Sequence, residues 1–209
     1  MAATSAISNI DTVIFDVGNV LYQWDLRCLF EKLIDDPQEL DWFLQNVVTT
    51  EWHFQHDAGR ALADMLPERI AQFPQYEALI TAYAARFNET IPGPVDGSLA
   101  LVEKLAANHV PIFGITNFGA ELWQNFRTTA PIFDLFEDIV VSGDEKLLKP
   151  DRAIYQLALK RFERSAAQCL FIDDRLENIE GALAEGIKSH HFTNAAALEQ
   201  ELHALHLLS

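Results

Sequence analysis

The polar residues that could do chemistry in this chain stand at the ends of short apolar runs. Asp16 follows Thr12-Val-Ile-Phe15, and Thr116-Asn117 follows the run from Val110 to Ile115. Ser142 follows Asp138-Ile-Val-Val141, and Asp173-Asp174 closes the run that opens at Cys169. Lys149-Pro150 lies between the last two runs. Three carboxylates brought together repel one another, and close like charges push one pKa up strongly. A divalent cation relieves that repulsion, and an all-oxygen donor set suits Mg²⁺. Lys149 adds positive charge that keeps the carboxylates ionised. An ionised Asp beside cations can attack phosphorus. Thr116, Asn117 and exposed backbone N–H groups can donate to a phosphoryl group. Each signal alone has a commonplace structural reading: a turn after Asp16, a cap at Thr116-Asn117 or Asp173-Asp174, a helix start at Lys149-Pro150 with Pro at the first position. Four such signals in order at four strand ends point to chemistry.

The elements that must position these residues are legible as patterns. The apolar runs are rich in β-branched and aromatic residues and too short for helices. Runs that are apolar throughout suit parallel strands covered on both faces. Helical patterns follow over Ser98–Asn108, with Ser98 as N-cap, over Asp151–Arg161, and over Leu176–Glu185, with Gly186 past its end. A last strand is expected at His190–Phe192 and a last helix at Ala195–Leu207. Strand and helix in this alternation predict a doubly wound parallel α/β sheet, in which ligands bind outside the carboxyl ends of the strands. The stretch Leu26–Glu89 differs, reading as helix after helix at 26–33, 38–48, 61–65 and 76–87. The expected organisation is a core of residues 11–21 and 95–209 with an all-helical cap subdomain, 22–94, inserted after the first strand.

Composition narrows the partners. The 209 residues carry a formal charge of −16, which argues against nucleic acid and anionic membrane surfaces. A small anionic substrate remains compatible where the pocket is locally positive or holds a metal ion. No run approaches the roughly 20 apolar residues of a membrane span, and the opening MAATSAISNI lacks the charged and apolar regions of a signal peptide. A cytoplasmic location and a monomer or homodimer are expected. The two cysteines, Cys28 and Cys169, read as packed thiols without disulfide or metal spacing.

The chain resembles the haloacid dehalogenase (HAD) superfamily, in the subfamily with a helical cap after the first motif. Val13-Ile-Phe-Asp-Val-Gly-Asn-Val-Leu21 is similar to the first motif, Gly114-Ile-Thr-Asn117 to the second, Lys149-Pro150 with Ala153-Ile-Tyr155 to the third, and Leu170-Phe-Ile-Asp-Asp174 with Asn178 and Gly181-Ala182 to the fourth. The resemblance implies a Rossmann-like core and a Mg²⁺-dependent hydrolase acting on a small phosphorylated molecule. Asp16 would form a covalent aspartyl intermediate, Thr116 and Asn117 would hold the phosphoryl oxygens, and Lys149 would neutralise charge. Asp174 would bind Mg²⁺ together with Asp16 and the Gly18 carbonyl, with Asp173 in support. One position departs: phosphatases of this superfamily usually carry a second Asp two residues after the nucleophile, and here that residue is Gly18. The Asp-x-Gly-Asn-Val variant resembles a subgroup that includes sugar-phosphate phosphatases. The proton donor is then unassigned, with the substrate, a water on the metal, or a cap residue (His53, His56 or Asp57) as candidates.

Asn19, Asn117, Arg27, His56 and Arg60 are the residues expected at the substrate, the arginines because guanidinium pairs bidentately with anions. Two other readings compete. A metal-independent 2-haloacid dehalogenase would use the same Asp nucleophile but lacks the paired Asp of the fourth motif, so Asp173-Asp174 favours phosphate chemistry. A non-catalytic binding module on the same core would not need Asp16, Thr116, Lys149 and Asp174 together.

Overall fold

The computed structural model describes residues 10–208; residues 1–9, which carry most of the signal-peptide reading, lie outside them. Five parallel strands form one sheet in the order β3-β2-β1-β4-β5: β1 Thr12–Phe15, β2 Ile112–Thr116, β3 Asp138–Val141, β4 Cys169–Asp173 and β5 Lys188–His191. β1 lies at the centre. The chain winds from it outward through β2 and β3, then returns to the other side of β1 for β4 and β5. That reversal opens a crevice at the carboxyl ends of β1 and β4, where open sheets bind ligands.

The inner strands are short apolar runs because both faces are covered. Val13 and Phe15 of β1 and Leu170 and Ile172 of β4 face one buried layer, while Ile14 and Phe171 face the other. Helices α1 Arg27–Phe30, α2 Pro37–Asn46, α3 Thr50–Asp57, α4 Leu62–Gln72 and α5 Glu77–Ala85 all fall between β1 and β2. They are followed by α6 Ser98–Ala107, α7 Ala120–Arg127, α8 Ser142–Glu145, α9 Arg152–Arg161, α10 Leu176–Ala184 and α11 Ala195–Ala204. Phe133 is buried and touches the rings of Tyr22, Trp123, Phe126 and Phe136 at centroid distances of 4.9–6.0 Å.

Several boundaries differ from expectation for identifiable reasons. Gly97, in the left-handed region at φ 77°, caps α6, so Ser98 is its first residue and not its cap. α9 begins at Arg152 with Asp151 as N-cap, its carboxylate accepting from the Ala153 N–H, so Pro150 precedes the helix instead of opening it. α4 runs on to Gln72 through Pro67, whose exposed position lets the carbonyl left without a donor face solvent. α3 and α7 were not expected. α3 buries Trp52, His53, His56 and Asp57, a mostly polar set with no apolar stripe. α7 does carry one, in Leu122, Trp123 and Phe126. Both cysteines are free, but Cys28 is only partly buried.

Phe133→Ala removes the hub of the aromatic cluster. It is expected to cost about 3–5 kcal/mol, read as a lowered urea midpoint with an unchanged slope.

Candidate active site

Asp16 follows β1 directly, and its N–H donates to the Ile172 carbonyl of β4 at 2.9 Å, fixing it over the crevice. Its Oδ1 accepts from the Val17 N–H at 2.7 Å and sits 2.7 Å from the Lys149 ammonium. The same ammonium donates to Asp173 Oδ2 at 2.7 Å. Asp173 is further held by Asn178, whose Nδ2 lies 2.9 and 3.1 Å from its two oxygens, and by the Arg175 N–H at 2.9 Å. Asn178 in turn accepts at its carbonyl from the Tyr155 hydroxyl at 2.8 Å. One oxygen each of Asp16, Asp173 and Asp174 falls within 4.8 Å of the others.

Charge in this group is unbalanced. Burial, the largest influence, pushes the Asp16 carboxyl up to about 7; Lys149 opposes this, and Asp173 and Asp174 add to it. Asp174 is raised as well, by burial first and then by Asp173. Burial works against the Lys149 ammonium, but Asp16 and Asp173 outweigh it and hold lysine above its ordinary value. Three carboxylates against one ammonium leave a surplus of two negative charges, and a dication of oxygen-seeking type matches that surplus. Asp173 is occupied by Lys149, Asn178 and Arg175, so Asp16 and Asp174 are the carboxylates free to ligate. The residues present therefore fit Mg²⁺.

The expected site residues separate into two sets. Asp16, Gly18, Asn19, Asn117, Lys149 and Asp174 line one cleft of about 700 Å³, its open mouth included. Thr116 is buried at the end of β2 beside them. Asn117 is engaged at both ends: its Nδ2 donates to the Lys149 carbonyl at 3.0 Å and its Oδ1 accepts the Lys149 N–H at 2.9 Å. It positions the lysine backbone instead of standing free for a phosphoryl group. Asn19, at φ 55°, adopts the left-handed conformation that Asn tolerates. Its Oδ1 accepts the Trp24 N–H at 3.1 Å, folding residues 19–24 back over the cleft.

The cap residues expected at the substrate lie elsewhere. Arg27 pairs with Asp41 at the surface, and Arg60 pairs with Glu68 and with Gln55. His56 is buried with Nδ1 2.7 Å from the Arg60 carbonyl. Its ring fills the space over Gly119, where an added Cβ would meet it at 1.9 Å, so His56 is a contact between α3 and the core. Guanidinium was sought among residues 22–94; the arginine that lines the cleft is Arg175, immediately after Asp174. Asn178 was legible as the fifth residue after Asp173, in the first turn of α10. Five aromatic residues of the apolar wall were not anticipated: Tyr22, Phe54, Phe87, Phe118 and Phe126 come from five separate segments and meet only in the fold.

Comparison with known proteins agrees with this geometry. A family profile described as haloacid dehalogenase-like hydrolase matches residues 10–186. The sesquiterpene phosphatase astK of Aspergillus oryzae is 29% identical over 194 residues, which is 92% of this chain and 94% of that protein. A HAD family enzyme of Bacteroides thetaiotaomicron, solved with magnesium and inorganic phosphate, superposes with a TM-score of 0.67 at 20% identity, covering 88% of this chain and 95% of that one. The L-2-haloacid dehalogenase of Xanthobacter autotrophicus gives a TM-score of 0.62 at 16% identity, over 93% and 83%. With its parallel sheet, its central strand-end aspartate and a matching profile over most of its length, the chain belongs to the haloacid dehalogenase-like hydrolases.

Proposed function

We propose that this chain is a Mg²⁺-dependent phosphomonoester hydrolase working through a covalent aspartyl-phosphate on Asp16. The observation that carries this reading is the Lys149 ammonium set 2.7 Å from both Asp16 and Asp173 within a three-carboxylate cluster. Asp16 and Asp174, with the Gly18 carbonyl, would hold the metal, which supplies positive charge to the phosphoryl oxygens. Lys149 and the Val17 N–H fix one oxygen of Asp16, leaving the other to attack phosphorus. The Asp16–phosphorus bond forms as the ester bond breaks. Thr116 and the backbone after it donate to the phosphoryl group. Water then cleaves the acyl phosphate and restores Asp16. The paired Asp173 and Asp174 favour this chemistry over metal-free attack on a haloacid.

The cleft also argues for the organic part of the substrate. Beyond Asp16 and Lys149 its exposed surface is more apolar than polar, with Tyr22, Trp24, Phe54, Phe87, Ile91, Phe118 and Phe126 as the apolar wall. Such a wall rewards burial of carbon, at roughly 0.8 kcal/mol per methylene, and offers little to a sugar's hydroxyls. An apolar alkyl, prenyl or aryl monophosphate fits better than a sugar phosphate. The sesquiterpene phosphatase relative supports the same direction.

Wild type is expected to release phosphate from an aryl phosphate with Mg²⁺ and not with chelator, and Asp16→Asn is expected to lose at least about 10³-fold in kcat. Halide release from 2-chloropropionate without metal, in place of phosphate release, would overturn the reading. Across a panel of monoesters, kcat/KM for a prenyl phosphate is expected to exceed that for a hexose phosphate by about tenfold or more. The reverse order would show that the aromatic wall does not select the substrate.

A further inference from the structure

Gly18 gives the cleft no side chain at the position two residues past Asp16, and a Cβ built there would meet nothing within 4 Å. A leaving alkoxide needs a proton, and an acid must supply it from another direction. Two of the three cap candidates are disposed of by geometry. His53 is stacked between Trp24 at 4.7 Å and Phe87 at 5.7 Å, with Nδ1 2.6 Å from the Tyr83 hydroxyl and Nε2 3.4 Å from Asp57 Oδ2. Burial drives its pKa down to about 3, so it stays neutral with both nitrogens engaged. His56 has Nδ1 2.7 Å from the Arg60 carbonyl, packs its ring over Gly119, and does not line the cleft.

Asp57 remains. It is 1% exposed and lines the same cleft as Asp16 and Lys149. Its Oδ2 faces His53, while its Oδ1 is buried without a well-formed hydrogen bond among the described residues, the Gly119 N–H being the one backbone donor turned towards the carboxyl. A buried carboxyl oxygen left unpartnered is costly as a charge and asks for an explanation. It is also the last residue of α3, where the negative end of the helix dipole disfavours an anion. The carboxyl is held in place by its own backbone: the Asp57 carbonyl accepts from Ser142 Oγ at 2.7 Å, and Ser142 Oγ accepts the Phe118 N–H at 2.9 Å. Ser142, at the end of β3, thus ties the C-terminus of α3 to the core beside the cleft.

We propose that Asp57 is the general acid and base of this site, doing from the helical segment what Gly18 cannot. The inference rests on the phosphatase reading above. As Asp16 attacks phosphorus and the ester P–O bond breaks, the Asp57 carboxyl proton passes to the departing oxygen, and the organic group leaves as the alcohol. Asp57, now a carboxylate, takes a proton from the water that attacks the aspartyl-phosphate. Phosphate departs, and both carboxyl groups return to their starting states. The protonation this needs is already favoured: burial first, with Asp16 adding, raises Asp57 to about 7, against the Gly119 N–H and Lys149.

The test is rapid-quench measurement of phosphoenzyme formation with Mg²⁺, comparing Asp57→Asn with wild type on 4-nitrophenyl phosphate and hexyl phosphate. Nitrophenolate leaves without a proton and hexanolate does not. Asp57→Asn is expected to lose about 100-fold or more with hexyl phosphate, and its loss with the nitrophenyl ester is expected to be at least about 30-fold smaller. Equal losses on the two esters would overturn the acid role while the phosphatase reading stood. A wild type phosphorylated by neither ester would sink both. Folding supplies a second check. The groups facing Asp57 are His53 on its own helix, Tyr83 of α5, Asp16, Lys149 and the Gly119 N–H. Because the folded pKa lies above the unfolded one, Asp57 takes stability away as pH rises from about 4 through 7. Asp57→Asn is therefore expected to gain in Tm over wild type more at pH 8 than at pH 5, and a difference unchanged between the two would contradict a buried acid that prefers its proton.

Discussion

The structure depends on one buried ammonium held between two carboxylates. Lys149 is 4% exposed and lies 2.7 Å from both Asp16 and Asp173. Taking three such charges out of water is expensive, and a buried pair rarely adds stability over apolar packing of the same shape. Its value here is geometric. The lysine joins the loop before α9 to the carboxyl ends of β1 and β4, and the Asn117 amide clamps the lysine backbone from the end of β2. Three strands and one loop are thereby registered on a single lysine, and Asp16 is aimed by the same contact that opposes its protonation.

Around that point the two halves of the chain divide the work. The sheet brings carboxylates and Lys149 to one end of the crevice. The segment between β1 and β2 brings Tyr22, Trp24, Phe54, Phe87 and Ile91 of the apolar wall, which Phe118 and Phe126 complete from beyond β2, and, through α3, the partly unsatisfied carboxyl of Asp57. Ser142 and the close packing of His56 on Gly119 hold α3 against the core, so Asp57 and Asp16 sit in one cleft although 41 positions separate them in sequence. An aromatic lining also lowers the local dielectric, which strengthens the charge interactions at Asp16 and accounts for the direction in which burial moves Asp16, Asp57 and Asp174.

The sheet was legible because parallel strands covered on both faces leave an unbroken apolar signature; β1 and β3 fall where the apolar runs predict. The core of the site was legible for the same reason, since Asp16, Asn117 and Asp174 directly follow strands, while Lys149 was legible as the residue before Pro150 ahead of α9. What sequence patterning could not reach is contact made across elements. Arg27 and Arg60 were chosen for their charge, but their partners Asp41 and Glu68 lie on the neighbouring helices α2 and α4 and take both arginines away from the cleft. α3 escaped because His53, His56 and Asp57 are buried for polar reasons, and a helix without an apolar stripe gives no period to read. The aromatic wall escaped because its members lie from residue 22 to residue 126 and share no pattern in sequence.

The central claim is that Asp16 carries the phosphoryl group. Wild-type protein quenched during turnover of an aryl phosphate with Mg²⁺, reduced with borohydride and mapped by mass spectrometry, tests it directly. An acyl phosphate on Asp16 predicts a reduced side chain at position 16 that is lost with chelator. Turnover with position 16 unmodified, or modification at another carboxylate, would contradict the account.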